Sequence, residues 1–364
     1  MGNGSNSLGK NLVATIFGES HGKGIGIVLD GVPSDLNIDK KLINKDLNRR
    51  RPGQSKISTD RDEKDQFEIL SGVQNGKTTG APLTFFIKNK DHHSKDYSRF
   101  REVHRPSHID YPALLRYGKN VDLRGSGIFS GRLTAPIVIA GAIGKMILRK
   151  KNVKIGAFVS QIGDIIDETQ YHVDEILEKG ESNIVRTVNP KIAEKMISLI
   201  EQVKEEEDSI GGIVSVRIEN FPKGIGDPWF DSLESIISRA IFSIPGVRGI
   251  EFGTGFKAAE MRGSEHNDQF IYDKEKDEIS TQSNHCGGII GGISIGNSIN
   301  FKVAVKPAAS IGKSQKTLNF KKKEMVELKV GGRHDPCIVP RALVGIESIT
   351  ALVLADAFIN KRNT

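Results

Sequence analysis

Cysteine, aromatic residues and long apolar runs are scarce in this sequence. Two of the 364 residues are cysteine, Cys286 and Cys337, and 6% are aromatic. Two cysteines are too few for a disulfide framework and suit a reducing compartment. The apolar run from Leu133 to Leu148 contains Lys145 and is shorter than the roughly 20 residues that cross a bilayer. We therefore expect a soluble, cytoplasmic protein rather than a disulfide-rich secreted protein or a membrane-spanning one.

Positive charge and glycine are abundant. The formal net charge is +7, and 39 residues are glycine, a proportion above the usual roughly 7%. A moderate positive charge suits anionic small molecules as well as nucleic acid. RNA binding is one alternative class, but the few aromatic residues and the lack of a recognition motif in the sequence argue against it. Because no linker, repeat or low-complexity tract divides the sequence, we expect one domain over residues 1–364.

The segment Gly18-Glu19-Ser20-His21-Gly22 lies between two apolar, β-branched runs, which predicts a hairpin with a polar turn. The five residues also fit G-x-S-x-G, the nucleophile elbow of serine hydrolases, which requires a helix after the serine. The following residues alternate as a strand instead, so this class is rejected. Adjacent side chains on extended backbone point to opposite faces, and we therefore expect His21 to be poorly placed as a base for Ser20.

An arginine cluster ends the first predicted helix. Asp39 is placed to cap a helix that runs to Arg49-Arg50-Arg51 and stops before Pro52. Arginine forks match phosphate and carboxylate groups. The sequence therefore predicts an anion site here, with a solvated helix end as the alternative.

Two further segments crowd polar groups together. Between Arg105 and Asp110, the Asp110 carboxylate could fix the tautomer of His108, although a turn whose polar groups satisfy one another remains the alternative. A Gly/Ser loop containing Arg132 precedes a helix predicted over Thr134–Arg149, which is apolar nearly all round and should be buried. A loop of this kind at a helix N-terminus is typical of an anion cradle.

The remaining candidates are weaker. His285-Cys286 and His334-x-x-Cys337 offer two imidazoles and two thiols, but neither has a standard zinc spacing, so we expect small buried thiols and no metal. Residues 152–225 show ordinary structural patterns, including a helix predicted from Pro190 with Asn189 as its N-cap.

These segments, in this order and over nearly the whole chain, resemble the chorismate synthase family. The resemblance implies an α+β fold, a sandwich with helices packed between antiparallel β-sheets, and a homotetramer. It also implies a lyase of the shikimate pathway that converts 5-enolpyruvylshikimate 3-phosphate to chorismate and phosphate by anti-1,4 elimination, with reduced FMN as cofactor. The matching segments are Gly18–Gly22, Arg49–Gly53, Arg105–Asp110, Ser130–Arg132, Ser283–Gly288, Lys306–Pro307 and Arg333–Cys337.

The resemblance also implies roles for individual residues. His21 should lie beside the substrate phosphate as a cation or acid, His108 should face the flavin ring and manage its proton, and Asp335 should serve proton removal near flavin N5. Ser20 and Ser130 should assist through hydrogen bonds. The phosphate and two carboxylates of the substrate should be bound by five cationic side chains: Arg50, Lys56, Arg105, Arg132 and Arg333.

The FMN-binding residues implied by the resemblance depart in places from the common family pattern. Ile128-Phe129 stands where many relatives have Arg-Ser, Pro245-Gly246 replaces Asn-Ala, and Ala308-Ala309 replaces Thr-Ser. Lys56 replaces a frequent arginine, which keeps the charge but loses the bidentate fork. The full implied set is Ile128, Phe129, Ser130, Pro245, Gly246, Gly291, Lys306, Pro307, Ala308, Ala309, Ser310 and Arg333.

The supply of reduced flavin is a separate question. The sequence contains no recognisable reductase domain, so we expect an outside source of reducing equivalents; whether NADP(H) binds stays open at this point. The alternative to the lyase is another flavin-dependent enzyme that acts on a phosphorylated anion with net oxidation of the flavin.

Overall fold

The structure of the chain is a computed structural model that describes residues 5–51, 53, 65–89, 99–275, 277–331 and 334–361. Two predicted site residues, Lys56 and Arg333, lie outside the described residues. The helices are α1 Lys40–Arg50, α2 Asp110–Tyr117, α3 Thr134–Leu148, α4 Val173–Lys179, α5 Pro190–Glu205, α6 Leu233–Ile241, α7 Gly263–His266 and α8 Val339–Lys361.

The strands are mostly short and joined by tight turns. In chain order they are β1 Ser7–Leu8, β2 Val13–Gly18, β3 Gly24–Asp30, β4 Phe67–Ser71, β5 Val73–Gln74, β6 Lys77–Thr78, β7 Leu83–Lys88, β8 Lys154–Ile162, β9 Ile165–Ile166, β10 Gly212–Glu219, β11 Val247–Phe252, β12 Phe270–Asp273, β13 Glu278–Thr281, β14 Ile289–Ile290, β15 Ile293–Ser294, β16 Ile299–Val305, β17 Gln315–Asn319 and β18 Glu324–Leu328.

In the described part of the chain, two five-stranded antiparallel sheets form two layers. The first has the order β1-β2-β3-β7-β4 and the second the order β11-β16-β10-β8-β9. In β7, Leu83, Phe85 and Ile87 are buried, and the residues between them are not. This two-residue period is that of a strand with one face on the core.

Helices α3 and α8 fill the space between the sheets. Helix α3 contacts β2, β3 and β7 of the first sheet, α8 contacts β8 and β10 of the second, and the two helices pack on each other. Both sides of α3 are covered, which explains why 13 of its 15 residues are buried. The predicted α+β sandwich, with helices between antiparallel sheets, is therefore confirmed.

Two glycines allow the close approach of these central helices. A Cβ atom on Gly141 would lie 2.4 Å from Cα of Ser348, and one on Gly144 would lie 2.6 Å from the carbonyl oxygen of Ala351. Only glycine leaves room for backbone this close. A larger residue at either position would push α3 away from α8 and disturb the ends of the loops that carry the site.

Two helical stretches, 124–151 and Val339–Ile359, are long and apolar enough to cross a membrane, but 78% of the most apolar 18-residue window of each is buried inside the protein. The first stretch exceeds the apolar run seen in the sequence because 3₁₀ turns flank α3 on both sides. Lys145 on α3 and Glu347 on α8 form a buried ion pair, with Nζ 2.5 Å from Oε1. These are properties of the core helices of a folded domain.

Most predicted elements are confirmed, with two differences. The β2–β3 hairpin forms, α1 begins after Asp39, whose Oδ1 accepts a hydrogen bond from the Leu42 N–H at 3.0 Å, and α5 begins at Pro190. The strand expected from Phe67 to Val73 is interrupted at Gly72, where φ is +85°. Helix α8, expected from Val344, begins at Val339 because Pro340 falls in its first turn, where a missing N–H has no intrahelical acceptor to lose.

Candidate active site

The turn between β2 and β3 brings Ser20 and His21 to one place. Both residues are buried, at 8% and 7% exposure, and they lie in a turn rather than on extended backbone. A Cβ atom built on Gly125 would lie 2.6 Å from Nε2 of His21 and 2.7 Å from Oγ of Ser20. The expectation that these side chains point to opposite faces is therefore wrong, because it assumed strand geometry. The rejection of a nucleophile elbow stands, since β3 and not a helix follows.

The loop before α3 packs on this turn in a strained conformation. Gly125, Ser126 and Gly127 have φ values of +54°, +72° and +52°, a left-handed run that costs a non-glycine residue energy. The Ser20 N–H donates to the Gly127 carbonyl at 3.2 Å, which joins the loop to the turn. A side chain at position 125 would collide with both Ser20 and His21, so this glycine keeps the site open.

A carboxylate links two of the predicted anion-binding arginines. Arg50 Nη2 lies 2.9 Å from Asp65 Oδ2, and Arg132 Nη1 lies 2.7 Å from Asp65 Oδ1. Arg50 also donates to the Gly131 carbonyl at 3.3 Å and to Oγ1 of Thr134 at 3.2 Å. Burial lowers the pKa of Arg50 below its usual value, although Asp65 acts in the opposite direction.

The Arg50 guanidinium has one hydrogen-bond donor that the described residues do not use. Its side chain is 3% exposed, and no group among the described residues accepts a hydrogen bond from its Nε. A buried donor without an acceptor is costly. A buried guanidinium donor of this kind is suited to binding an anion through charge-assisted hydrogen bonds.

Arg105, His108 and Asp110 form a second cluster at the N-terminus of α2. Arg105 makes a bidentate contact with Asp110, from Nε to Oδ2 at 2.9 Å and from Nη2 to Oδ1 at 2.7 Å. His108 Nδ1 lies 2.9 Å from Asp110 Oδ1. Although burial acts against it, these two partners hold the pKa of Asp110 far below its usual range. Asp110 is therefore a carboxylate, and Nδ1 of His108 carries the proton that it donates.

The second ring nitrogen of His108, Nε2, faces the loop before α3. It lies 3.4 Å from the Ser126 hydroxyl, which connects this cluster to the loop above His21. Burial lowers the pKa of His108, and the hydrogen bond to Asp110 only partly offsets this. The imidazole is therefore neutral at pH 7, with its tautomer set by Asp110 as the sequence predicted.

A cavity of about 500 Å³ at the end of β16 is lined by four of the predicted flavin-side residues, Lys306, Pro307, Ala308 and Ala309. Lys306 Nζ donates to the Ser107 carbonyl at 3.0 Å, and the Lys306 N–H donates to the Gly246 carbonyl at 2.9 Å. Arg105 Nη1 donates to the Ser310 hydroxyl at 3.1 Å. The lining includes Pro106, Ser107, Ser209, Arg248, Lys306, Pro307, Ala308, Ala309 and Gln315.

Asp335 and Gly291 occupy different positions relative to this centre. The Asp335 carboxylate pairs with Nη1 of Arg341, and Nε of Arg341 donates to the Arg50 carbonyl at 3.3 Å, so Asp335 is tied to the end of α1. Gly291 lies at the turn between β14 and β15, and the neighbouring Gly292 carbonyl accepts from the Leu233 N–H at 3.0 Å. The structure thus connects Asp335 to the arginine cluster but places Gly291 in a hairpin that packs beside α6.

Two of the candidate zinc ligands, Cys337 and His285, have surroundings unlike those of a metal site. Burial raises the pKa of the Cys337 thiol to about 12, and Nδ1 of His285 lies 3.0 Å from the Thr254 hydroxyl. The described ranges contain no group of three or more His, Cys, Asp or Glu side chains arranged to hold a metal ion.

Comparison with known proteins covers almost the full length of the chain. The family model described as chorismate synthase matches residues 12–359. Proteins named chorismate synthase from Christiangramia forsetii and Cytophaga hutchinsonii are 48% and 45% identical to the chain, over 99% and 98% of both partners. The chain belongs to the chorismate synthase family.

An archaeal relative and a solved structure extend the comparison. The chorismate synthase of Methanocaldococcus jannaschii is 45% identical over 97% of this chain and 96% of its own. A crystal structure of chorismate synthase superposes with a TM-score of 0.76 at 32% identity, over 97% of this chain and 93% of the other. As a chorismate synthase, the chain is a shikimate-pathway lyase that acts on 5-enolpyruvylshikimate 3-phosphate.

Most of the described site residues that the family resemblance implies belong to one connected network. Hydrogen bonds link the turn of His21, the loop with Ser130 and Arg132, and the clusters of Arg50 and Arg105. Ser130 Oγ accepts from the Arg132 N–H at 3.3 Å. The contacts of Phe129 include the Tyr117 ring, at 6.0 Å between centroids.

Four polar residues of this network were missed by sequence reasoning. Asp65 lies just before β4, Asn89 directly after the buried strand β7, Arg341 in the first turns of α8, and Ser126 in the left-handed loop. One signal in the sequence could have found some of them, namely the position of a polar residue next to the end of a strand. A polar residue directly after a buried strand, such as Asn89 after β7, is placed to meet neighbouring turns.

Proposed function

We propose that the phosphate of 5-enolpyruvylshikimate 3-phosphate binds at the cluster of Arg50, Asp65 and Arg132. The observation that carries this proposal is the buried Arg50 guanidinium, whose Nε has no acceptor among the described residues. Arg50 and Arg132 both contact Asp65 there, and an incoming anion would supply an acceptor for the buried Nε of Arg50. Arginine binds phosphate through paired, charge-assisted hydrogen bonds.

His21 and Ser20 act on the departing phosphate. Both side chains meet above Gly125, in a turn whose Ser20 carbonyl is tied through Asn89 to Arg132. A histidine in this position lowers the barrier by donating a proton, or by stabilising negative charge, as the C–O bond breaks. The Ser20 hydroxyl supplies a further hydrogen bond.

His108 and Asp335 manage protons on the other side of the substrate. Asp110 holds the His108 Nδ1–H, so that Nε2 is the atom available to accept or return a proton. Asp335 is held by Arg341 next to the end of α1, where Arg341 also contacts the Arg50 carbonyl. In this arrangement, anti-1,4 elimination places proton removal and phosphate departure on separate residues.

Reduced FMN would be held at the cavity at the end of β16. A cavity of about 500 Å³ is of the size that holds cofactors, and Lys306 and Arg248 would provide cations for a phosphorylated ligand. The family pattern adds further residues that would hold the flavin: Pro245, Gly246, Ser310, the Ile128–Ser130 loop, Gly291 and Arg333. When bound, reduced FMN supplies electrons transiently, because the overall elimination involves no net redox change.

The remaining parts of the proposal concern the whole protein. The chain acts as one catalytic domain, as a homotetramer in the cytoplasm, and obtains reduced flavin from an outside reductant. Lys56 and Arg105 contribute to anion binding, Arg105 mainly through its hold on Asp110 and Ser310. The two-helix core, which is buried inside the protein, supports a soluble enzyme.

The test is an anaerobic assay with chemically reduced FMN that follows chorismate and phosphate together. One equivalent of reduced FMN should support many turnovers, and the same assay with oxidised FMN and no reductant is the control. Oxidation of one flavin per chorismate formed would contradict the lyase mechanism and favour the alternative flavin-dependent oxidoreductase.

A further inference from the structure

Asn89 lies between the turn of His21 and the arginine cluster. It directly follows β7, and its backbone N–H donates to the Lys23 carbonyl at 3.2 Å, so the end of β7 is fixed beside the turn. The residue is 9% exposed. A buried primary amide must find partners for two donors and one acceptor, and these partners identify its task.

The amide nitrogen of Asn89 is surrounded by carbonyl oxygens of the turn. Nδ2 lies 3.0 Å from the carbonyl oxygens of Glu19, Ser20 and Gly22. Two amide hydrogens serve three acceptors, so at least one hydrogen bond is shared. The contacts flank His21 on both sides of the chain and thereby fix the backbone that carries its side chain.

The amide oxygen of Asn89 points to Arg132. Oδ1 accepts from Arg132 Nε at 2.9 Å, and Arg132 Nη1 continues to Asp65 at 2.7 Å. One planar side chain therefore joins the turn to a guanidinium of the anion cluster. No charged group can replace it, because a carboxylate would face three carbonyl oxygens without a hydrogen to offer and a cation would face Arg132.

We propose that Asn89 is a positioning residue for the elimination, which holds His21 at a fixed distance from Arg132. This inference rests on the proposed roles of His21 and Arg132 at the substrate phosphate. If both groups act on the same phosphate, their separation must match it, and a misplacement of about 1 Å costs up to about 100-fold in rate. The amide sets that separation without touching the substrate.

The experiment compares Asn89→Ala and Asn89→Asp with a matched control, Asn183→Ala. Asn183 Nδ2 also donates to a backbone carbonyl, that of Thr187 at 2.7 Å, but outside the site. We expect Asn89→Ala to lower kcat by at least about 10-fold, while its melting temperature falls no more than that of Asn183→Ala. Asn89→Asp should in addition raise KM, because it places negative charge beside Arg132 and competes with the substrate phosphate.

His21→Ala separates failure of this inference from failure of the proposed function. If His21→Ala loses turnover while Asn89→Ala keeps kcat within about two-fold of wild type, the inference is overturned and the proposed function survives. If neither variant loses turnover, the proposed role of His21 is overturned, and so is this inference, which rests on it. If neither Asn89 variant folds, the residue is structural and the inference is also overturned.

Discussion

The consecutive residues Arg49 and Arg50 at the end of α1 enter two ion clusters of different kinds. Arg49 makes a bidentate contact with Glu347 at 2.8 and 2.9 Å and also contacts Asp46 and Glu181. Lys145 lies 2.7 Å from Asp46 and 2.5 Å from Glu347. We call this set of five side chains the closed cluster, because its cations are matched by carboxylates of the protein itself.

The cluster on the other side of α1 keeps a guanidinium donor that is not used. Arg50 and Arg132 share the carboxylate of Asp65, and Nε of Arg50 lacks an acceptor among the described residues. We call these three side chains the open cluster. The two neighbouring arginines therefore meet different electrostatic environments.

The direction of the pKa shifts follows from this difference. Burial acts to lower the pKa of Arg49, but its three carboxylate partners, Glu347, Glu181 and Asp46, together outweigh burial and raise the pKa well above the usual value. In Arg50 burial prevails, and the pKa is lowered despite Asp65. A cation that its own protein compensates contributes to the fold, whereas an under-compensated cation is available for an anionic ligand. Position in the sequence alone does not distinguish the role of Arg49 from that of Arg50.

The largest effect is expected from Arg49→Ala. This change leaves the buried Glu347 with half of its partners, and breaking a buried ion pair from one side typically costs about 3–5 kcal/mol. We expect that loss in the free energy of unfolding, measured by denaturant titration, with KM of the remaining folded enzyme unchanged. The exposed pair of Arg149 with Asp39 provides the control, since Arg149→Ala should cost less than about 1 kcal/mol. A large rise in KM for Arg49→Ala would remove the distinction between the clusters.

The next effect in size concerns Asp335, which is joined to the open cluster through Arg341 and the Arg50 carbonyl. Asp335→Asn keeps the shape of the side chain but removes a base. A positioned proton-transfer group contributes roughly 10² to 10⁴ in rate, so we expect turnover to fall by at least about 10², with FMN and substrate still bound. Single-turnover kinetics with reduced FMN and an equilibrium FMN titration provide the measurements.

The control for Asp335→Asn is Asp174→Asn, which alters an exposed carboxylate paired with Lys154 at 2.7 Å and should leave turnover unchanged. Turnover near the wild-type value in Asp335→Asn would make Asp335 a structural partner of Arg341. Loss of flavin binding together with turnover would leave the catalytic assignment unsupported.

Arg50→Ala is the direct counterpart of Arg49→Ala. Hydrogen bonds to charged groups contribute about 1.5–3 kcal/mol, so we expect KM for the substrate to rise about 10-fold or more, and kcat to change less. The reason is that Arg50 grips the anion in the ground state and the transition state alike. Stability should fall less than in Arg49→Ala, because Arg49 pairs with three carboxylates, whereas Arg50 pairs with Asp65, which keeps its contact with Arg132. A fall in kcat with unchanged KM would show that Arg50 has a different role.

The family resemblance predicted the sandwich, and local patterns in the sequence predicted several of its elements. Periodicity located the β2–β3 hairpin, α1 and α5 because each has a local signal: an alternating run, the Asp39 cap, or Asn189 before Pro190. The distinction between Arg49 and Arg50 had no local signal. It depends on Glu347 and Asp65, which only folding brings next to α1.

The errors within the site have similar causes. On extended backbone, the adjacent side chains of Ser20 and His21 would point to opposite faces, whereas the turn brings both next to Gly125. Ser209, in a region that looked purely structural, lines the cavity at the end of β16 and donates to the Ala308 carbonyl at 2.8 Å. Long-range contacts of this kind leave no period or spacing in the sequence.

The smallest effect is expected from Asp110, whose cluster lies between the closed and the open type because one carboxylate serves both Arg105 and a neutral histidine. Burial lowers the pKa of His108 below 6.5, while Asp110 raises it in part. The neutral imidazole is thus favoured in the folded state. The stability that the neutral His108 imidazole contributes is fully present above pH 6.5. It is lost as the pH falls through the lower pKa that His108 has in the folded protein.

We expect the pH dependence of turnover to have the same direction as that of stability. If Nε2 of His108 must be unprotonated, kcat should stay level from about pH 8 to about pH 6.5 and fall only at lower pH. Asp110→Asn removes the group that raises the pKa of His108, so the acidic limb should move to still lower pH, by less than about one unit. The measurement is kcat against pH in the folded fraction of each protein, because Arg105 also loses its partner. His108→Gln is the control, and its profile should lack this limb. A limb that moves to higher pH in Asp110→Asn would mean that the imidazolium, not the neutral ring, is the working form.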